Sequence, residues 1–333
     1  INPAGEQTSP EVNASGRVES GTHDSVIEGR RMSVPGTALA GVRNGSNPLE
    51  TASARFETSA IGQSNPLTDA SNVITVTIAT NIDLVEGDVV TISGLDNAVG
   101  ASTLTLSSVG NSGGDLFSDG STQGTASYGG GVLRATVHTG QSVSALTEYA
   151  FSFEVRNPSS AQAGGGVEIN ATGSVSVATA AMAAPYSAAL GVGNGSNVMY
   201  VVEPVFEVAS IGQSTPVAGA TNNLTVTLQT NCELPSGSTV TISGLTGTQT
   251  PDDGNLTVWS SGGAFGGRGG WTGSTGELVL TSEGTSAGTA YEVIVSVINP
   301  AGEQTSPEVN ASGRVESGTH DSVIEGRRMS VPG

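Results

Sequence analysis

Residues 1–36, INPAGEQTSPEVNASGRVESGTHDSVIEGRRMSVPG, recur without a single change at 298–333, so residue 1 matches residue 298 and the chain has a period of 297 residues. Identity over that length is not chance, and a fixed period means the fold must be read as an array of units, each packed on its neighbour. A second, diverged repeat lies inside the period. FETSAIGQSNP at Phe56–Pro66 matches FEVASIGQSTP at Phe206–Pro216, and ITVTIATNIDLVEGDVVTISGL at Ile74–Leu95 matches LTVTLQTNCELPSGSTVTISGL at Leu224–Leu245, both at an offset of 150. Two sister modules therefore alternate, and 333 residues are enough for two ordinary domains.

The pattern within each module is that of strands. Ile74, Val76 and Ile78 alternate with Thr75, Thr77 and Ala79, as Leu224, Val226 and Leu228 do with Thr225, Thr227 and Gln229, which predicts one buried and one wet face. Tyr149, Phe151, Phe153 and Val155 correspond to Tyr291, Val293, Val295 and Val297 at an offset of 142, the difference falling in loops, where length changes are tolerated. With 48 glycines, 12% charged residues and abundant Ser, Thr and Val, the composition suits short strands and turns rather than helices. The expectation is an all-β chain of two tandem antiparallel β-sandwich modules with extended connectors.

The stretch TAYEVIVSVINPAGEQTSPEVNASG, Thr289–Gly313, resembles the penultimate strand, turn and last strand of a fibronectin type III or other immunoglobulin-like domain. The resemblance rests on Tyr291, Val293, Val295, Asn299, Ala301, Gly302, Ser306 and Pro307. Module one keeps Tyr149, Phe151, Phe153, Asn157 and Pro158 before a longer glycine-rich turn, and neither module has the tryptophan that a fibronectin module carries early in its sequence. Glycine- and Ser/Thr-rich modules in tandem also resemble algal surface fibrils and large microbial adhesins. The likeness implies Ig-like sandwiches in a giant extracellular fibre or adhesin-type surface protein.

Boundaries follow from the repeats: 1–53 as a terminal strand and connector from a preceding unit, 54–176 as module one, 177–202 as a connector, 203–314 as module two, and 315–333 as the outgoing connector, a duplicate of 18–36. Both inner connectors contain NGSN, at Asn44–Asn47 and Asn194–Asn197, so they read as structured parts of the repeat. Ala178–Leu190 is alanine-rich but interrupted by Pro185, which allows at most a helical turn or two. A terminal strand without its own sheet leaves backbone groups and an apolar face unpartnered. Units are therefore expected to pack end to end, with each connector lying across the next module. A single giant chain and separate strand-exchanging subunits both fit, and Ile1, which is not a natural start, favours the giant chain.

The net charge of −19, with all 11 basic residues arginine, leaves no basic stripe for nucleic acid or anionic membranes, and no apolar run is long enough to span a bilayer. Cys232 is the only cysteine, and its counterpart Ile82 marks it as a buried small apolar residue. No catalytic residues are expected: His138 would be the sole base in an intact core, the sister module lacks it, and it sits in an alternating run as a solvent-facing strand residue, while His23 and its copy His320 lie in a polar THDS turn. Cys and His are too few for structural zinc. No cofactor is expected. Calcium is the weak exception, with Asp115 and Asp119, or Asp252 and Asp253, as candidates that lack an EF-hand's spaced acidic loop.

The glycine-rich Ser260–Gly276 lacks the Lys-Ser/Thr ending of a phosphate loop. Trp259, Phe265 and Trp271 bracket it and either stack on sugars or plug the end of the sandwich or a joint between modules. Asn-x-Ser/Thr sequons stand at Asn13, Asn44, Asn170, Asn194, Asn223, Asn255 and Asn310, and Asn13 matches Asn170 as Asn44 matches Asn194. In a eukaryotic source these would carry N-glycans, with O-glycans on Ser/Thr tracts. Together these features point to a non-catalytic, self-associating extracellular filament that contacts itself head to tail, with an adhesin stalk bearing carbohydrate-binding modules as the alternative.

Overall fold

The computed structural model describes residues 2, 5–110 and 113–331, so Ile1, Pro3, Ala4, Pro332 and Gly333 of the repeated segments lie outside the described residues. In module one a four-stranded sheet runs Phe56–Gln63, Ser71–Thr80, Tyr149–Arg156, Ser107–Ser108. The second sheet runs Val177–Ala181, Glu168–Thr172, Val89–Ser93, Val132–Val137, Thr125–Gly129, Thr103–Thr105, with Phe117–Ser118 also on Val132–Val137. Ile74, Val76, Ile78, Phe151 and Phe153 of the first sheet share one buried core with Val90, Ile92, Leu133 and Ile169 of the second. The rings of Phe117 and Phe151 meet at 5.4 Å between centroids, tilted by 59°.

Module two repeats this plan as one continuous path of nine antiparallel strands: Phe206–Gln213, Thr221–Thr230, Tyr291–Ile298, Asp253–Ser260, Arg268–Thr272, Glu277–Thr281, Thr239–Ser243, Asn310–Val315, Ser322–Arg328. The path closes into two layers because Asp253–Ser260 turns the corner. Its residues Asp253, Leu256 and Thr257 pair with Arg268–Trp271, whereas Val258–Ser260 pair with Val293–Val295. Register is preserved between modules, Val76 opposite Phe151 and Val226 opposite Val293. The inward set predicted by alternation is buried in both copies, and Ala79, predicted to face water, is buried as well.

One strand reading needs correction. Tyr291–Ile298 and Asn310–Val315, expected as the penultimate and last strands about a turn, do not pair with each other, and Asn310–Val315 is not the last strand. Tyr291–Ile298 pairs with Thr221–Thr230 in one layer, and residues 299–309 carry the chain across to the other layer, where Asn310–Val315 pairs with Thr239–Ser243 and a further strand, Ser322–Arg328. The Asn-Pro-Ala-Gly stretch is thus a crossover between sheets. The alanine-rich stretch is not helical either: Val177–Ala181 is a strand paired with Glu168–Thr172, and irregular chain follows through Pro185. Within that stretch Ala183 makes a parallel bridge to Ala60, as Ser330 does to Ser210, so each outgoing segment adds to the edge of its own module's first strand.

The duplicated segment adopts the same hairpin twice in unlike surroundings. Asn13–Val18 pairs with Ser25–Arg31 and stands alone as a two-stranded sheet, while the same sequence at Asn310–Val315 and Ser322–Arg328 completes module two. Val18, Ile27 and Met32 are exposed in the first copy, and their counterparts Val315, Ile324 and Met329 are buried in the second.

Candidate functional site

The most developed polar site in the chain is the joint between the modules. Its centre is a buried amide cluster, Gln63, Asn72 and Asn157, at the end of module one. Burying three amides is costly unless every donor and acceptor is satisfied, and here they are. Asn72 Nδ2 donates to Gln63 Oε1 at 3.0 Å and to Asn157 Oδ1 at 2.8 Å, while its Oδ1 accepts from the N–H groups of Ser64 and Asn65. Asn157 Nδ2 donates to the carbonyls of Asn65 and Leu67, both at 2.8 Å. The loop Ser64–Leu67 is thereby fixed by its neighbours' side chains.

Gln63 turns this cluster toward the connector. Its Nε2 donates to Gly195 O at 2.9 Å and Tyr200 O at 2.7 Å, and its Oε1 accepts from Met199 N–H at 3.0 Å. A second glutamine, Gln162, ties the two sides together: it exchanges backbone bonds with Val201, and its Nε2 reaches both Met199 O at 3.0 Å and Asp96 O at 3.3 Å. The connector then continues onto module two, where Glu233 N–H donates to Leu190 O at 2.9 Å. Gly191, at φ +72°, packs against Ala287, where a side chain would collide.

Module two also reaches back. Leu67 and Ala70 of module one are fully buried within the apolar core of module two. Ser71 N–H donates to His320 O at 2.8 Å, His320 N–H donates to Ser71 Oγ at 3.1 Å, and Ser322 Oγ donates to Thr68 O at 2.5 Å. The THDS turn at His320 stays exposed while its backbone makes this seam contact.

Module two carries the same cluster at its far end. Asn222 Nδ2 donates to Gln213 Oε1 at 3.0 Å and Asn299 Oδ1 at 2.8 Å, and Asn299 Nδ2 donates to Thr215 O and Val217 O. There, however, Gln213 is exposed, and Val217, the counterpart of Leu67, is 61% exposed.

The other sequence candidates fall as follows. Phe265 and Trp271 are buried in module two's core, and Trp271 Nε1–H donates to Thr250 O at 3.2 Å, so the sugar-stacking reading is corrected for both; Trp259 alone is exposed. Phe265 instead meets Tyr291 edge to face at 6.4 Å. Asn13, Asn44, Asn194, Asn223 and Asn255 are exposed, and Asn170 and Asn310 are half-buried on strands. Asn44 and Asn194 occupy identical turns at φ 60° and 59°.

Cys232 is fully buried, and burial, with a smaller contribution from Glu233, pushes its thiol up to about 12. Asp119 accepts from Ser121 and Thr122 within its own turn, and these bonds, Thr122's first, hold its carboxyl at about 2. Asp252 Oδ1 accepts from Gly273 N–H, and Asp253 Oδ1 from Asn255 N–H. Among the described residues no three of His, Cys, Asp or Glu gather as metal ligands. His138 lies just past the end of the strand Val132–Val137 and is half-buried, so it is not the solvent-facing strand residue expected from the sequence.

Sequence reasoning missed the amide clusters. Their signal was present in the Gln of IGQS and the asparagines that recur in both diverged modules, polar groups retained beside apolar strand positions.

No family model matches the sequence, and no curated protein matches it. Among solved structures, the one described as BspA_C_mut is 8% identical, covering 82% of this chain and 98% of its own at a TM-score of 0.36. The serine-rich repeat protein Srr2 of Streptococcus agalactiae is 10% identical, covering 83% and 93% at 0.22. The N-terminal domain of the Streptococcus gordonii adhesin Sgo0707 is 8% identical, covering 79% and 62% at 0.27. These are β-rich likenesses that assign no family to the chain.

Proposed function

We propose that the chain is one period, with a 36-residue overlap, of a non-catalytic, extracellular structural filament built from immunoglobulin-like sandwich modules that join head to tail. The carrying observation is that the N-terminal copy of the repeated segment grips the connector that leads into module one through bonds that repeat those of the internal joint. Gln7 exchanges backbone bonds with Thr51 and its Nε2 donates to Leu49 O at 3.0 Å, as Gln162 does with Val201 and Met199, whose positions are those of Thr51 and Leu49 shifted by 150. The N-terminal hairpin meanwhile exposes the apolar face that the C-terminal copy buries in module two. Burying a side chain such as Ile27 or Met32 is worth about 1.5–3 kcal/mol, which favours seating this hairpin in a preceding module two. Stability then adds along the axis, unit by unit.

Electron microscopy of the native material tests this reading. A filament whose axial repeat spans two modules supports it, and separate globular particles sink it. Denaturing mass spectrometry distinguishes a giant chain from strand-exchanging subunits of about 33 kDa. In a eukaryotic source the exposed sequons would carry N-glycans on the filament surface, and intact masses unchanged by glycosidase would remove that part. The carbohydrate-binding alternative loses two of its three rings to the core, leaving Trp259.

A further inference from the structure

The two joints of the array are present here in different states of completion, and comparing them identifies what module two binds. In the complete joint, Gln162 holds Asp96 O on its own module with one side and Met199 O on the connector with the other. In module two, Gln304 holds the corresponding Thr246 O at 3.1 Å. The connector half of the contact appears instead on Gln7, which is the same residue of the repeat as Gln304 and donates to Leu49 O. Gln304 and Gln7 thus display two halves of what Gln162 does at once.

The amide cluster shows the same split. Gln63 is filled by Gly195, Met199 and Tyr200, whereas Gln213 keeps its bond from Asn222 and, among the described residues, its Nε2 has no acceptor. Val217 stands exposed where Leu67 is fully buried in the module that follows it. On the entry side of module one, Val42 and Phe56 are only half-buried, whereas their counterparts Val192 and Phe206, in the same apolar core as Leu67, are buried.

We propose that Gln213, Gln304 and Val217 form a preset docking site for the connector Thr37–Ser53 of the following repeat, carried on the same chain. This rests on the filament reading and names its second joint. The occupant is fixed by the offset of 150: Gly45, Leu49 and Glu50 correspond to Gly195, Met199 and Tyr200, and Gly333 repeats Gly36, which leads directly into Thr37. Gln213 Nε2 then donates to the carbonyls of Gly45 and Glu50, its Oε1 accepts from Leu49 N–H, and Gln304 takes Leu49 O. The joint is heterologous, since each module presents a different surface at its two ends, and it extends without closing.

The test is to extend the full chain after Gly333 with residues 37–53 of its own repeat and to follow the side-chain amides of Gln213 and Gln304 by hydrogen exchange, together with the module-two melting midpoint. The site is supported if the tail slows exchange at both glutamines at least tenfold and raises the midpoint by about 5 °C, independently of protein concentration. Each gain is measured against the untailed form of the same variant, so any intrinsic cost of Gln213→Ala cancels, and that variant is expected to lose most of the gain. A tail of scrambled order with no effect adds support. Equal exchange with and without the tail, a gain retained in Gln213→Ala, or a gain that depends on concentration overturns the proposal. The experiment is monomeric, so its failure is separate from whether native filaments are seen.

Discussion

Ile27 and Ile324 are the same residue of the same 36-residue sequence, in the same hairpin register, yet Ile27 is 57% exposed and Ile324 is 1% exposed. Local sequence is sufficient to shape the hairpin, and the rest of module two supplies its burial. The pair is an internal control for what docking contributes.

Replacing Ile324 by Ala is expected to destabilise module two by about 2–4 kcal/mol, through lost transfer energy and a residual cavity. Ile27→Ala in the same chain is expected to change it by less than about 0.5 kcal/mol. Both tryptophans lie in module two, so urea titration followed by tryptophan fluorescence reads its unfolding separately from module one. Equal effects of the two substitutions would refute the assignment.

Asn72→Ala removes a side chain that accepts from two backbone N–H groups and donates to two amides in a site closed to water. Orphaned buried partners cost about 1–3 kcal/mol each, so module one is expected to lose about 2–4 kcal/mol, read as a lowered calorimetric transition. A loss below about 1 kcal/mol would mean that the cluster is dispensable.

The Cys232 thiol is expected to resist alkylation until module two unfolds. Its folded pKa is raised from 9.0 to about 12, so its contribution to stability is complete below pH 9 and is lost as pH climbs from 9 toward 12. Tyr128, raised by burial and Asp96, moves module one in the same direction. The stability of the wild type relative to Cys232→Val should therefore fall between pH 8 and pH 11, whereas a flat difference would contradict the linkage.

Gly191 meets Ala287 at a distance that admits no side chain, and its φ of +72° is strained for any other residue. Gly191→Val should unseat the connector and open it to limited proteolysis between Tyr186 and Asn197, with cleavage at least tenfold faster than in wild type. Unchanged cleavage would show that the connector is held elsewhere.

The strands were legible because period-2 alternation, written twice at matched spacing in residues such as Ile74, Val76, Leu224 and Val226, reports directly which face is buried. What alternation does not encode is which layer a strand joins. Tyr291–Ile298 reads the same whether the chain then turns back or crosses over, and the crossover at 299–309 is set by the pairing of Asn310–Val315 with Thr239–Ser243. The joint was legible as a requirement, since a strand without a sheet must find a partner, but its chemistry was not. Gln63 and His320 are polar residues in polar surroundings along the sequence, and only the approach of segments far apart in the chain buries Gln63 and brings the His320 backbone onto Ser71.

The parallel bridges Ala60–Ala183 and Ser210–Ser330 join the first strand of each module to the segment that leaves it. Because the two run in the same direction, tension along the filament proposed above would pull the first backward and the second forward. Their hydrogen bonds must then slip past one another together instead of parting in turn, so the topology places each module's mechanical resistance at the point where force enters it.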